Sequence, residues 1–259
     1  MLVRFASLDQ PGLVHAVTTR AGGVSAPPHN TLNMSWARPD DPQAVAENRR
    51  RVYTALEIDA ARVVQAGQIH AADVLVVEGQ HAGRGALERA SVLPPADAMI
   101  TREPNIYLLA CFADCVPLLF WDPIQRAVGV AHAGWQGTVK HIAAETVDAM
   151  SRHFGSAPAD LQVVVGPSAG SCCYNVWPHV ATAIHAAFPN HSELLVERED
   201  QIYFDLWAAN EATLVASGVL PERIEVSGIC TIHHAAQFFS HRASGGQTGR
   251  FAAVIGMRG

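Results

Sequence analysis

Several things are scarce in this 259-residue chain, and each scarcity excludes something. Lys140 is the only lysine, charged residues make up 16% of the sequence, and the net charge is −6. A broad basic surface for nucleic acid is therefore not expected. No apolar run approaches the length of a membrane span, and the opening MLVRFASLDQPG lacks the apolar centre of a signal peptide. The reading is a protein without a membrane partner, in the cytoplasm. Five cysteines, an odd number with Cys172 and Cys173 adjacent, do not form a secreted disulfide framework. The sequence contains no G-x-G-x-x-G, no Walker loop, no H-E-x-x-H and no H-x-H pair. His191-Ser192-Glu193 matches H-x-E, but the P-C-x-x-C of nucleobase deaminases does not follow it. His233-His234 reads as a plain surface pair.

What is present centres on Cys111 to Gly137. Two apolar runs, Val116 to Trp121 and Ala127 to Ala131, flank Asp122-Pro123-Ile124-Gln125, a segment suited to a type I turn. This predicts a β-hairpin. A loop symmetric about Pro123 and Ile124 sets Cys115 directly opposite His132, with Cβ atoms about 4.5–5.5 Å apart. A thiolate and an imidazole at that spacing suit a shared metal ion, or a cysteine nucleophile beside its base. A small buried hydrophobe and a satisfied strand histidine are the structural alternative. Gly134-Trp135-Gln136-Gly137 then opens a helix, and glycines at such a turn admit a ligand to the backbone.

Elsewhere, strands are predicted at Leu13–Thr19, Val74–Val77, Asp97–Thr101, Ile106–Phe112, Leu161–Val165, Ile224–Ile229, Phe238–Arg242 and Phe251–Ile255. Helices are predicted at Pro42–Leu56 with Asp41 as cap, Thr138–Phe154, Pro178–Phe188 and Asp205–Ser217. Residues 79–95 read as a mobile surface loop. The glycine turn of Thr19 to Ser25 is a weak candidate for phosphate and more simply a turn. With no repeat and no linker, residues 1–259 form one domain of α+β class, a mixed α/β sandwich with a central hairpin.

Several segments together resemble the YfiH-like family, also called the laccase-domain or polyphenol oxidase family. They include Thr19-Arg20-Ala21-Gly22-Gly23-Val24-Ser25, Asn48-Arg49, Gln68-Ile69-His70, Ala113-Asp114-Cys115-Val116-Pro117 and His132-Ala133-Gly134-Trp135. Gly166-Pro167, Cys172-Cys173-Tyr174, Cys230-Thr231, Phe238-Phe239-Ser240 and Thr248-Gly249-Arg250 follow in order. The resemblance implies one zinc held by His70, Cys115 and His132, with copper as the alternative metal. It implies a purine nucleoside enzyme: phosphorolysis of adenosine, inosine and methylthioadenosine, and hydrolytic deamination of adenosine. Copper-dependent polyphenol oxidation and editing of peptidoglycan precursors are other roles described for members. Purine nucleosides and phosphate are then the partners, and a monomer is favoured. Arg49 and Arg242 are the candidate phosphate ligands because they are permanently charged and planar; Asn33 is a candidate for the sugar. The chain departs from the family at Gln136, where W-R-G is usual, and after Arg242, where Ala243 stands in place of a second arginine. Those departures imply a high phosphate requirement and comparatively better deamination.

Overall fold

The structure, a computed structural model, describes residues 1–37 and 39–259. Nine strands carry the architecture: β1 (Leu13–Thr18), β2 (Val74–Val76), β3 (Ala98–Thr101), β4 (Tyr107–Phe112), β5 (Val116–Asp122), β6 (Ala127–Ala133), β7 (Gln162–Val165), β8 (Ile224–Val226) and β9 (Phe251–Met257). A six-stranded sheet runs β8-β7-β5-β6-β3-β2. In it β7–β5, β5–β6 and β6–β3 are antiparallel, while β7–β8 and β3–β2 are parallel. A five-stranded sheet places β1, β9 and β4 side by side, flanked by Leu2–Val3 and Val63–Val64.

Alternation along the strands explains how the sheets stack. Leu108, Ala110 and Phe112 of β4 join Phe251, Ala253 and Ile255 of β9 against Leu119, Trp121, Val128 and Val130 of the other sheet. The opposite face of β4 (Tyr107, Leu109, Cys111) packs on Val52, Tyr53 and Leu56, contributed by α1 (Pro42–Ala55) and the residue after it. The far face of the six-stranded sheet (Leu118, Phe120, Val163, Val165) is covered by α3 (Ile142–Phe154), α4 (Pro178–Ala187) and α5 (Leu206–Ala216). The result is a four-layer sandwich of helix, sheet, sheet and helices. Both sheets are mixed and buried on both faces, which is why their strands read as continuous apolar runs. The mixed α/β expectation holds. Among the described residues, no helix is long and apolar enough to cross a membrane.

Four local expectations need correction. The hairpin register differs from the symmetric one: His132 pairs with Pro117, and Asp122 pairs with Ala127. The loop therefore has four residues. Asp122 Oδ1 accepts from the N–H groups of Ile124 and Gln125, and Arg126 closes the loop at φ 50°. Cys115 lies two residues before Pro117, so it is a diagonal neighbour of His132 on the same face. The helix predicted from Thr138 to Phe154 is two helices, α2 (Trp135–Val139) and α3, separated by His141 in the left-handed conformation. Phe238–Arg242 is not a strand; Phe238 and Phe239 plug the inter-sheet core from a turn-rich segment. Residues 79–95 are not a detached loop, since Ala86 and Leu93 are buried and Leu93–Pro95 forms a short strand.

Candidate metal centre

The site lies where β4 leaves one sheet and β5 enters the other. Ala113, Asp114 and Cys115 make that crossing. Asp114 adopts φ 82°, a strained conformation for a residue with a side chain. Its surroundings hold it there. Oδ1 accepts from Thr231 Oγ1 at 2.7 Å, Oδ2 accepts from the Arg242 N–H at 2.7 Å, and its carbonyl accepts from the Ala169 N–H at 2.9 Å. The crossing thus fixes the direction of Cys115.

His132 sits near the end of β6, and His70 in the loop before β2, at φ 62°. Asp97, at the threshold of β3, orders both. Its Oδ1 takes the His132 Nδ1 contact at 2.8 Å and the His70 N–H at 3.0 Å. Its Oδ2 accepts from the N–H groups of Ile69 at 3.1 Å and Ala71 at 2.7 Å. The contact at Nδ1 leaves His132 Nε2 for the site, the outer-shell arrangement that orients a ligand histidine. Lys140 Nζ donates to the His70 carbonyl at 3.1 Å and braces the same loop.

The structure therefore brings together His70, Cys115 and His132, whose ligand atoms all lie within 4.8 Å of one another. Cys115 Sγ is 4.0 Å from His70 Nε2, and the two imidazoles meet edge-on with centroids 4.9 Å apart. Gly134, the cap of α2, supplies the room. A Cβ there would come 2.8 Å from Cys115 Sγ and 3.2 Å from His70 Cδ2.

The electrostatics follow from this packing. Burial alone would raise the Cys115 thiol, but the charge on His132 and hydrogen bonds from both histidines pull it down to about 6. Burial alone would lower His132, but the Cys115 thiolate and the Asp97 carboxylate push it up to about 9. Burial also works against the Asp97 carboxylate. Hydrogen bonds from His132 and from the Ala71 and Ile69 N–H groups nevertheless hold it below its usual range. Without a metal, Cys115 and His132 form a thiolate–imidazolium pair at neutral pH. One thiolate and two imidazoles in this geometry fit zinc, and three protein ligands leave a coordination position free for chemistry.

Two cavities, of about 310 and 300 Å³, open on either side and share His70, Ala113, Cys115 and His241 as their common wall. The first is aromatic, with Trp135, Tyr174 and Trp177 joined by Gln136 and Arg242. The second is more polar, with Ser35, Gln68 and Arg250. Arg242 donates to the backbone carbonyl and side chain of Asn175 and stacks 5.2 Å over Tyr174.

The other residues singled out from sequence lie elsewhere. Arg49 is fully buried, donating to the carbonyls of Met34, Gly85 and Ala86 and to Gln65 Oε1, with Trp36 against its guanidinium. Its fork is spent on backbone, so it braces the 79–95 segment rather than meeting phosphate. Asn33 is likewise fully buried; it donates to Asp40 and accepts from the N–H groups of Ser35 and Arg250, leaving nothing for a sugar. In the glycine turn, the N–H groups of Gly23 and Val24 donate to Thr31 Oγ1 and Asn48 Oδ1, within the protein. The helix opened by Gly134 has five residues, too few for an appreciable dipole. His233 is exposed, as read, but its Nδ1 also lies 3.4 Å from Cys172 Sγ. Asp97 and Trp177 carry no motif that marks them; Trp135, Tyr174 and Arg250 stand in segments quoted for the family resemblance, but their place in the cavity walls shows only once the chain is folded.

Comparison with known proteins identifies the family. Residues 14–258 match the family described as "Multi-copper polyphenol oxidoreductase laccase". Purine nucleoside phosphorylase YlmD of Bacillus subtilis is 39% identical over 248 residues, covering 95% of this chain and 89% of that protein. The purine nucleoside phosphorylase of Deinococcus radiodurans is 40% identical over 256 residues, 99% of this chain and 92% of that protein. Among solved structures, YlmD from Geobacillus stearothermophilus superposes with a TM-score of 0.94 at 39% identity, covering 98% of this chain and 94% of that one. The Bacillus licheniformis hypothetical protein YfiH gives 0.92 at 37% identity, over 97% and 98% of the two chains. The match over residues 14–258, with these relatives, shows that the chain belongs to the laccase-domain family.

Proposed function

We propose that this protein is a zinc-dependent purine nucleoside enzyme whose principal reaction is phosphorolysis. The observation that carries the reading is the three-residue donor set of His70, Cys115 and His132: the first two stand in the wall shared by an aromatic cavity and a polar one, and His132 lines the polar one. A zinc ion there would supply a Lewis acid and an acidified water, with a pKa of about 7. The chain's own residues do the rest. Trp135, Tyr174 and the 73%-exposed Trp177 offer faces on which a purine stacks. Arg242 and Arg250 place a permanent cation in each cavity, suited to phosphate and to ribose hydroxyls. In phosphorolysis a phosphate oxygen bonds to C1′ of the ribose. The bond from C1′ to the purine breaks, and the base leaves with the electron pair and takes up a proton. Asp97 keeps His132 in one tautomer and His70 in one backbone position throughout. Adenosine, inosine and methylthioadenosine are the expected substrates, with deamination of adenosine as a second, phosphate-independent activity.

Copper oxidation of phenols is the competing reading, suggested by the family description. A single site with one thiolate and two imidazoles does not supply the several coppers that four-electron reduction of dioxygen needs. The test uses zinc-loaded, copper-free protein with adenosine and inosine, with and without phosphate. Release of free base and ribose 1-phosphate, lost in Cys115→Ala together with the zinc, supports the proposal. Phenol oxidation that scales with added copper, with no nucleoside turnover, overturns it.

A further inference from the structure

A second cluster of metal-ligating side chains lies beside the site. Cys172 and Cys173 belong to the turn after β7; Cys230 and His233 belong to the turn after β8. We propose that these four residues hold a second, structural zinc ion through three thiolates and one imidazole. Their ligand atoms all lie within 4.8 Å of one another. Cys172 Sγ and His233 Nδ1 are 3.4 Å apart. Zinc–sulfur and zinc–nitrogen bonds of usual length, set at a tetrahedral angle, put sulfur and nitrogen about 3.6 Å apart. The spacing is therefore close to that of an assembled site. All four protein positions are filled, as structural zinc requires, whereas the catalytic candidate has three.

Backbone features support a charged sulfur here. The Gly170 N–H donates to Cys230 Sγ at 3.4 Å, and the N–H groups of His233 and Ile232 also point at that sulfur. Such donors stabilise thiolate ligands from the outer shell. Gly170 permits the approach: a Cβ there would meet Trp207 Cη2 at 2.8 Å and Cys230 Cβ at 3.3 Å. The cysteines are free thiols, so the cluster is not consumed by a disulfide. Zinc binding displaces their protons and leaves three sulfur–zinc bonds.

The location gives the ion its purpose. The first turn continues into Tyr174 and Asn175; Tyr174 lines the aromatic cavity and Asn175 anchors Arg242. The second turn carries Thr231, whose hydroxyl donates to Asp114 beside Cys115. An isolated parallel bridge, Ser168 to Cys230, and the hydrogen bond from the Ser227 N–H to the Val165 carbonyl join the bases of the two turns. An ion at their tips locks the rim of one cavity to the residue that aims Cys115.

The experiment is metal analysis of the full chain loaded with zinc and passed over a desalting column. Wild type is expected to retain about two zinc ions per chain. Cys172→Ser with His233→Ala, both at exposed positions, should retain about one, and so should Cys115→Ala. Peptide mapping of wild type under non-reducing conditions provides the second readout. Cys172 and Cys173 should resist iodoacetamide until a chelator is added. Retention of a single ion that Cys115→Ala abolishes would overturn the proposal. So would a disulfide among these cysteines, or alkylation of Cys172 at equal rates with and without the chelator.

Discussion

Replacing Asp97 by Asn keeps size and shape but changes what the carboxylate does. Four donors converge on it, two on each oxygen: His70 N–H and His132 Nδ1 on Oδ1, Ile69 and Ala71 N–H on Oδ2. An amide has one acceptor oxygen and one NH2 group, so two of the four donors face a donor in either orientation. With the NH2 toward the backbone, the Ile69 and Ala71 N–H groups lose their acceptor and the loop carrying His70 loosens. With the NH2 toward His132, the imidazole must accept at Nδ1 and carry its proton on Nε2, which removes it as a ligand. Each lost hydrogen bond to a charged group is worth about 1.5–3 kcal/mol, so two amount to about 3–6 kcal/mol shared between fold stability and metal affinity. Outer-shell changes of this kind lower metal affinity about 10–100-fold. Zinc affinity is read by competition with a chromophoric chelator, and stability by urea titration of the metal-free protein. Asp97→Asn with wild-type zinc affinity and an unchanged urea midpoint would refute the role assigned to Asp97.

Three further outcomes are expected. In metal-free protein, alkylation of Cys115 should rise through about pH 6 and stay level to about pH 9, because the thiolate–imidazolium pair is intact over that range. The Cys115 contribution to apo stability is lost as pH falls through about 6 and the His132 contribution as pH rises through about 9; between the two, one grows as the other declines, so they offset and apo stability should stay nearly level from about pH 6 to 9. An alkylation midpoint near that of free cysteine, about 8.5, would remove the pair. Gly134→Ala should cost about 5- to 150-fold in zinc affinity, since its Cβ would sit 2.8 Å from Cys115 Sγ and overpacking of this size costs about 1–3 kcal/mol. Unchanged zinc binding would show that the site accommodates the methyl group. Gln136→Arg adds a cation to the wall of the aromatic cavity and should lower the apparent Michaelis constant for phosphate about tenfold, the value of one charge-assisted hydrogen bond. Ala243→Arg is the contrasting variant: Ala243 is exposed and its N–H is engaged by Ser240 Oγ. If the two variants have equal effects, the cavity wall does not hold the phosphate.

The sequence by itself determined the elements with strong periodicity and the local chemistry of the site. Apolar runs buried on both faces marked β4, β5, β6 and β9, and Asp41 with Pro42 marked the start of α1, where Asp41 does accept from the Gln43 N–H. A strand has a two-residue side-chain period, so a hairpin register displaced by two residues still left Cys115 and His132 on one face. Signals that depend on contacts distant in sequence were not legible. Arg49 looked like a phosphate ligand because its charge is visible in sequence, while the carbonyls of Met34, Gly85 and Ala86 that absorb it come together only on folding. The helix break at His141 left no gap in the apolar period of Thr138 to Phe154, since one left-handed residue changes direction without changing composition. Asp97 acquires meaning only when β3 lies beside β6 and the loop of His70 closes over it. Cys172 and His233, 61 residues apart in sequence, meet because β7 and β8 run parallel and end side by side. Chemistry resides in residue types, which a sequence displays; coordination, burial and electrostatic shift are properties of several chain segments at one point, which only the tertiary structure creates.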